Sequence, residues 1–171
     1  IGTGIAKIFD LTVASTGANS KLLKREGIEY ISSYTHSSSH AGYYPNALPL
    51  SIKLLFSPID GKVLGAQVVG YEGVDKRVEM FAQVIKNGGN IYDLIEIEHA
   101  YAPPYSSAKD PVNMAGFVAD NILNNRVKTA HWREIDSADT NERVIIDVRT
   151  EEEYQMGHID GAINIPVDTL R

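Results

Sequence analysis

Two neighbouring stretches with different hydrophobic periods constrain the fold of this 171-residue chain most strongly. Apolar and polar residues alternate in residues 50–57 and again in residues 62–71, and Asp60-Gly61 lies between the two runs. A period of two indicates half-buried strands, and Asp-Gly is typical of a tight hairpin turn. In residues 74–85 the apolar period becomes helical, and Gly88-Gly89 ends the pattern. The sequence therefore predicts an antiparallel hairpin followed by a helix.

The segments around this hairpin are predicted from the same signals. Residues 8–15 and 28–36 are predicted as two further strands, with a short helix at residues 18–26 between them. The glycine-rich start, residues 2–4, is predicted as a connector, and residues 95–98 as one more strand. Strands and helices joined by hairpins predict an α+β fold, in which helices cover an antiparallel sheet.

A stiff loop at residues 98–111 is the least ordinary stretch of the chain. Pro103 and Pro104 fix the backbone and disfavour helix in the residues before them, and Tyr101 lies just ahead of them. Asp110 is predicted as the N-cap of a helix that begins at Pro111. A loop fastened in this way is suited to holding side chains in place.

Composition excludes several classes of function. The net charge is -6 and no lysine or arginine run occurs, so we expect no nucleic-acid partner. The chain has no cysteine, which excludes disulfides, thiolate metal ligands and a cysteine nucleophile within it. No apolar run approaches the roughly 18 residues of a membrane span and no signal peptide opens the chain, so we expect no membrane partner and a cytoplasmic location.

Histidines and glutamates near the stiff loop raise the possibility of a metal site. They are His36, His40, Glu96, Glu98 and His99. No recognised ligand spacing links them, so we expect no metal.

The pattern changes near the end of the chain. Residues 124–130 are polar and basic, and we predict a first domain at 1–125, a linker at 126–133 and an incomplete second domain at 134–171. Residues 144–148 form a continuous apolar run, which predicts a strand buried on both faces of an α/β sheet. Thr150 and Glu153 are spaced as a capping box for a helix that Gly157 ends.

Residues 144–166 resemble the first half of a rhodanese (sulfurtransferase) domain. The resemblance is carried by Asp-Val-Arg-Thr at 147–150 and by Gly-His-Ile-Asp-Gly-Ala-Ile-Asn-Ile-Pro at 157–166. In that family the persulfide-forming cysteine lies in a later loop, which this sequence does not contain. The resemblance implies that this chain alone cannot transfer sulfur, and that Asp147, Arg149 and His158 belong to the framework.

Residues 1–125 resemble the C-terminal dimerisation domain of the pyridine nucleotide-disulfide oxidoreductases, and within them the CoA-disulfide reductases and related NADH oxidases. The supporting motifs are Lys-Ile-Phe-Asp-Leu-Thr-Val-Ala-Ser-Thr-Gly at 7–17, Gly-Tyr-Tyr-Pro at 42–45 and Tyr-Ala-Pro-Pro-Tyr-Ser-Ser-Ala-Lys-Asp-Pro at 101–111. The resemblance implies that FAD, NAD(P)H and a single redox cysteine are held by upstream domains of a longer parent. We therefore expect this chain alone to bind neither cofactor tightly and to be inactive.

The same resemblance implies which residues take part in catalysis. In these homodimers the C-terminal domain completes the active site of the partner copy. Tyr43 and Tyr101 are the implied catalytic pair, with Tyr43 also contacting the flavin. A phenol can donate a hydrogen bond to a thiolate, or a proton to a leaving one. Ser39, Tyr101 and Lys109 are the implied contacts to CoA disulfide or CoA persulfide, and a lysine suits the CoA phosphates.

Three functions remain open from the sequence. The first is an interface domain that lends tyrosines to a flavin-dependent reductase of CoA disulfide, CoA persulfide or polysulfide. The second is a purely structural dimerisation module, and the third is part of a sulfur relay centred on the rhodanese segment.

Overall fold

The computed structural model describes residues 2–135 and 144–170. The chain divides into two compact units, Ile1–Lys128 and Thr129–Arg171. The sequence-based limits of 1–125, 126–133 and 134–171 stay a prediction, and residues 136–143 of the predicted second domain lie outside the described residues.

The first unit is built on a five-stranded antiparallel sheet. Its strands are β1 (Thr3–Ile8), β2 (Leu11–Gly17), β3 (Ile31–Ser38), β4 (Pro49–Phe56) and β5 (Val63–Gly70). Their order across the sheet is β1-β2-β5-β4-β3. The predicted hairpin is confirmed as β4 and β5, with Gly61 at a φ of 68° in the turn between them.

The described residues of the first unit also form four helices, two of which cover one face of the sheet. They are α1 (Ser20–Arg25), α2 (Val74–Lys86), α3 (Ile91–Glu96) and α4 (Pro111–Leu123). Helix α2 packs on β2 and β5, α4 packs on β3 and β4, and α3 packs against α4. The α+β fold predicted from the sequence is confirmed.

The core lies between the sheet and these helices. Its fully buried members include Leu50, Ile52, Leu54, Phe56, Val68, Val78, Phe81, Ile91, Leu94 and Val112. The alternating residues of β4 therefore face the helices, as their period predicts.

The first strand was predicted wrongly. Residues 3–8 form β1, which pairs with β2 in a hairpin, and Phe9 and Asp10 form the turn between them. Phe9 has a φ of 53° and is 93% exposed. Glycine and asparagine are the usual residues for a positive φ, so a phenylalanine there gives no turn signal, and the apolar alternation in the sequence continues through it.

The strand predicted at residues 95–98 is also wrong. Helix α3 continues to Glu96, and the carbonyls of Leu94, Ile95 and Ile97 accept hydrogen bonds from Asn113 Nδ2 at 3.0 to 3.1 Å. These bonds satisfy carbonyls at the end of the helix, where they would otherwise lack partners. The alternation of Ile95 and Ile97 is therefore a helix end and not a strand.

The second unit contains four short elements among its described residues. They are α5 (Trp132–Ile135), β6 (Ile146–Asp147), α6 (Glu151–Met156) and β7 (Ile163–Asn164). Strands β6 and β7 are parallel, and α6 begins with the predicted capping box and ends at Gly157. The prediction that residues 144–148 are buried on both faces is wrong for the described residues. Val144 is 72% exposed, and the described part of the second unit has only two short strands and two short helices.

No helix in residues 2–135 or 144–170 has the length and apolar character needed to cross a membrane.

Candidate functional site

Two tyrosine hydroxyls meet at the surface of the first unit. Tyr43 Oη and Tyr101 Oη are 2.8 Å apart and share a hydrogen bond, although 58 positions separate the residues in the sequence. Tyr43 is 76% exposed and Tyr101 is 48% exposed. The structure therefore brings together the two residues that the sequence resemblance singles out.

Each tyrosine lies in a loop that is closed by its own hydrogen bonds. Residues 39–48 follow β3, and the amides of Ser39 and Leu48 donate to Leu48 O and Ser39 Oγ at 2.7 and 3.1 Å. Residues 97–110 precede α4, and within them the Ser106 amide donates to Ala102 O at 3.2 Å. The Ala41 amide donates to Ser106 O at 3.1 Å, which joins the two loops directly.

The contact between the phenols changes the acidity of Tyr101. The hydrogen bond with Tyr43 raises the pKa of Tyr101 above its ordinary value, and the proximity of the second phenol acts in the same direction. Tyr101 therefore keeps its proton at neutral pH and can donate a hydrogen bond.

Ser39 and Lys109 lie at opposite ends of these loops. Ser39 begins the Tyr43 loop and is 4% exposed. Lys109 is near the end of the Tyr101 loop, is exposed, and has its Nζ 4.9 Å from the ring centroid of Phe117. Both stay predictions as substrate contacts.

A buried ion pair lies behind the two loops. Arg77 of α2 and Asp110 are both fully buried, with Arg77 Nε 3.1 Å from Asp110 Oδ1 and Arg77 Nη2 2.9 Å from Asp110 Oδ2. Burial alone would raise the pKa of Asp110, but hydrogen bonds from Arg77 and Ser106 outweigh it and hold that pKa below its ordinary value. Asp110 is therefore ionised at neutral pH.

Asp110 is also the predicted N-cap of α4, and the structure confirms it. Its Oδ1 accepts from the Val112 amide at 3.0 Å, and the Asn113 side chain accepts from the Asp110 amide at 3.1 Å. Arg77 is not among the residues predicted from the sequence. The available signal is its position three residues after Val74 and four before Phe81, on the apolar face of α2, where an arginine needs a buried partner.

His99 lies two residues before Tyr101 and differs from both tyrosines. Both of its ring nitrogens are buried and lack a hydrogen-bond partner among the described residues. Burial lowers the pKa of His99 below its ordinary value, so the imidazole is neutral at neutral pH. In the part of the chain that the structure describes, no group of three or more histidines and carboxylates could hold a metal ion.

In the second unit, Asp147, Arg149 and His158 brace the backbone. Arg149 Nη2 lies 2.6 Å from Asp147 Oδ2 and donates to Gly157 O at 2.8 Å. The His158 ring stacks on Tyr154 at 3.7 Å between centroids. The hydrogen bonds from Arg149 lower the pKa of Asp147. These contacts are consistent with the framework role that the resemblance implies.

The fold and the tyrosine-bearing loops lead to a class of protein. The family described as "Pyridine nucleotide-disulphide oxidoreductase, dimerisation domain" matches residues 4–111, which is more than half of the chain. The chain belongs to this family. The rhodanese-like domain family matches residues 129–171.

The chain is also similar to individual proteins within this family. A coenzyme A disulfide reductase from Staphylococcus epidermidis is 39% identical over 119 residues, covering 70% of this chain. The crystal structure of reduced Bacillus anthracis CoADR-RHD is 53% identical, covers 99% of this chain and gives a TM-score of 0.96. The NAD-dependent persulfide reductase from A. fulgidus is 36% identical, covers 98% of the chain and gives a TM-score of 0.89.

The chain is much shorter than these proteins. It spans 27% of the length of the Staphylococcus epidermidis relative and 30% of each of the two solved chains.

Proposed function

We propose that this chain is part of a flavin-dependent reductase that acts on CoA disulfide or CoA persulfide. Its first unit forms the homodimer interface and presents Tyr43 and Tyr101 to the active site of the second copy. The hydrogen-bonded phenol pair on an exposed surface is the observation that carries this proposal.

Exposure of the pair supports a role in a site shared between copies. This chain has no cysteine, so a reacting protein thiol must come from residues outside it. Two phenols that are 76% and 48% exposed can contact such a group when another surface approaches. A purely structural pair would more often be buried with its hydroxyls bonded inside the interface.

The residues of the first unit fit a contact to a flavin held elsewhere. Tyr43 and Tyr101 are exposed, so their phenol rings are accessible to a planar ring held by another part of the protein. NAD(P)H and FAD, held by residues outside this chain, would supply two electrons; with two protons these would convert one CoA disulfide into two thiols as one S–S bond breaks. For a CoA persulfide the products are CoA thiol and hydrogen sulfide.

The acidity of the pair decides what Tyr101 does in this reaction. An ordinary phenol has a pKa of about 10 and an ordinary thiol about 8.5, so a thiolate is the weaker base of the two anions. The raised pKa of Tyr101 widens this gap. Complete proton transfer from Tyr101 to a leaving thiolate is therefore uphill, and Tyr101 stabilises that thiolate by donating a hydrogen bond. A phenol has a single proton, so when Tyr101 donates to the thiolate, its oxygen accepts the hydrogen bond from the Tyr43 hydroxyl, which orients it.

The names of the relatives support the choice of substrate. One is a coenzyme A disulfide reductase and another an NAD-dependent persulfide reductase. Lys109 is exposed beside the tyrosine loop, where its ammonium can contact the CoA phosphates as a point charge. Ser39 is buried and its hydroxyl accepts from the Leu48 amide, so it supports the Tyr43 loop.

The proposal is tested by replacing Tyr101 with phenylalanine in the full-length protein. We expect kcat for CoA disulfide to fall roughly 10- to 100-fold, the usual value of a hydrogen bond to a charged group. Dimer mass, measured by light scattering, should not change, because only one exposed oxygen is lost.

Tyr105→Phe is the matched control, since Tyr105 lies in the same loop and is 73% exposed. We expect it to keep wild-type turnover. Unchanged turnover in Tyr101→Phe, with an intact dimer, would show that the tyrosines are structural and would overturn the proposal.

A further inference from the structure

Arg77 and Asp110 form hydrogen bonds to other residues in addition to their ion pair with each other. Arg77 Nη1 donates to Gly73 O at 3.1 Å, and Arg77 Nη2 donates to Ser39 O at 2.8 Å as well as to Asp110. Asp110 Oδ2 also accepts from Ser106 Oγ at 2.6 Å. The guanidinium therefore contacts the start of α2, the start of the Tyr43 loop and the end of the Tyr101 loop.

These contacts act on the two loops that carry the phenols. Ser39 is the first residue of the Tyr43 loop, and its carbonyl is held by Arg77. Ser106 is held by Asp110 through its hydroxyl, and its carbonyl accepts from the Ala41 amide. The separation of the two loops is thus set by side chains that lie beneath them.

The chemistry of arginine suits this task. Its planar fork can donate to acceptors in several directions at once, whereas a lysine ammonium is a point charge on a flexible stem. Both partners are fully buried, so their geometry is not loosened by exchange with water. A buried ion pair is a weak source of stability compared with apolar packing, and it is better suited to specifying one arrangement.

We propose that Arg77 is a positioning residue, which acts through Asp110 and Ser106 to hold the Tyr43 and Tyr101 hydroxyls within hydrogen-bonding distance before a second copy approaches. The inference concerns the geometry of the pair in this chain, and its catalytic consequence rests on the proposed function. Arg77 itself touches neither phenol, so it is not a catalytic residue.

The first test measures the tyrosine pair without catalysis. Tyrosine ring carbons are labelled with ¹³C at Cζ in this chain, and NMR follows their ionisation with pH. In the wild-type chain Tyr101 should titrate above the ordinary value of 10.0, because Tyr43 binds its hydroxyl. In Arg77→Met we expect the Tyr101 midpoint to return toward that ordinary value, since the loops separate and the shared hydrogen bond is lost.

Two further variants keep the test decisive. Ser106→Ala removes only the hydroxyl that donates to Asp110, and it should shift the Tyr101 midpoint in the same direction by a smaller amount. Arg77→Lys should give an intermediate midpoint, because it keeps the charge and loses the fork. Val78→Ala is the control, since Val78 is a buried apolar residue of the same helix that belongs to the core cluster. It should leave the midpoint at the wild-type value.

A folded Arg77→Met chain with an unchanged Tyr101 midpoint would overturn the inference. If Arg77→Met does not fold, an unchanged midpoint in Ser106→Ala together with Arg77→Lys would do so.

Turnover in the full-length protein separates this inference from the proposed function. If Arg77 acts through the phenols, Arg77→Lys should lower kcat and leave KM nearly unchanged. The same substitution should have almost no effect on kcat in a protein that already carries Tyr101→Phe. If the fold-decreases in kcat caused by Arg77→Lys and by Tyr101→Phe multiply in the variant that carries both, the positioning role is contradicted. If Tyr101→Phe does not alter turnover but Arg77 variants shift the Tyr101 titration, the proposed function fails and the positioning role stands.

Discussion

Asp110 is the residue on which the organisation of the site most depends. Its carboxylate accepts from Arg77, Ser106 and the Val112 amide, and it is fully buried. Removing one partner of a buried ion pair generally costs about 3–5 kcal/mol, because the other charge is left without compensation. The stability of the first unit is therefore tied to the charge of this one group.

The depressed pKa of Asp110 predicts a dependence of stability on pH. A carboxylate whose pKa is lower in the folded state contributes its full stability above the unfolded value of 3.8, and this contribution is lost as pH falls through the folded pKa. Denaturant unfolding of wild type and Asp110→Asn should therefore differ by a constant amount from pH 7 to about pH 4.5, and the difference should shrink at lower pH.

Asp60→Asn is the control for this measurement. The pKa of Asp60 is also lowered, chiefly by a hydrogen bond from Ser57, but Asp60 is exposed and its interactions are screened by water. We expect only a small effect of Asp60→Asn at any pH. A wild-type advantage over Asp110→Asn that stays constant down to pH 3 would show that the charge of Asp110 does not matter.

At the scale of single residues, sequence motifs mark the two exposed tyrosines, whereas no motif marks the buried Arg77. Tyr43 and Tyr101 follow from the resemblance of their loops to a family, and the structure places their hydroxyls in contact. Arg77 is not part of a recognisable sequence motif, and its position on the apolar face of α2 is the one sequence feature that indicates a buried role. The partner of a buried arginine cannot be read from helical period alone, because Asp110 is 33 positions away and approaches only when the sheet and helices pack.

At the scale of elements, the contact between α3 and α4 supports the segment that leads to Tyr101. A Cβ added at Gly116 would lie 2.8 Å from Ile95 Cγ1 and 3.0 Å from Ile91 O, so only glycine permits this approach. The absence of a side chain at Gly116 is therefore what lets α3 lie close to α4. Asn113 then ties α4 to the end of α3 through three carbonyls.

Gly116→Val should destabilise the first unit by about 1–3 kcal/mol, because a larger side chain forces the two helices apart. Chemical denaturation of this chain measures the change. Met114→Val on the same helix is the matched control, since Met114 is exposed and its replacement should cost at most about 0.7 kcal/mol of helix propensity. Equal losses for the two variants would contradict close packing at Gly116.

Elements with strong local signals are the ones that the sequence predicts correctly. The hairpin of β4 and β5 has an Asp-Gly turn, and α4 has Asp110 and Pro111 at its start. The β1–β2 turn has Phe9 at a positive φ, a conformation that local sequence does not favour and that pairing between the strands imposes. The end of α3 is decided by Asn113, which lies 16 positions beyond Ile97 and gives no local signal.

At the scale of the whole molecule, each of the two units matches a family of its own. The first belongs to a reductase dimerisation family and the second matches the rhodanese-like family, in the same order as in the Bacillus anthracis CoADR-RHD structure that covers 99% of this chain. Both resemblances found in the sequence are confirmed. The exposure of Val144 could not be predicted from the apolar composition of residues 144–148, because burial of a strand depends on how many elements flank it.

The central claim is that Tyr101 acts in the active site of the other copy, and mixed dimers of the full-length protein test it most directly. One kind of dimer carries Tyr101→Phe on one copy and a serine in place of the proposed upstream redox cysteine on the other. The second kind carries both changes on the same copy, opposite a wild-type copy. Turnover of CoA disulfide is measured for each, with dimers purified by two affinity tags.

If each active site combines the cysteine of one copy with Tyr101 of the other, the two mixed dimers should differ in turnover. When the changes are on different copies, the intact cysteine faces an intact Tyr101, and we predict about half of the wild-type turnover. When both changes are on one copy, the only intact cysteine faces phenylalanine, and turnover should fall to about half that of the Tyr101→Phe homodimer. The reverse order, or equal turnover in the two dimers, would contradict the account.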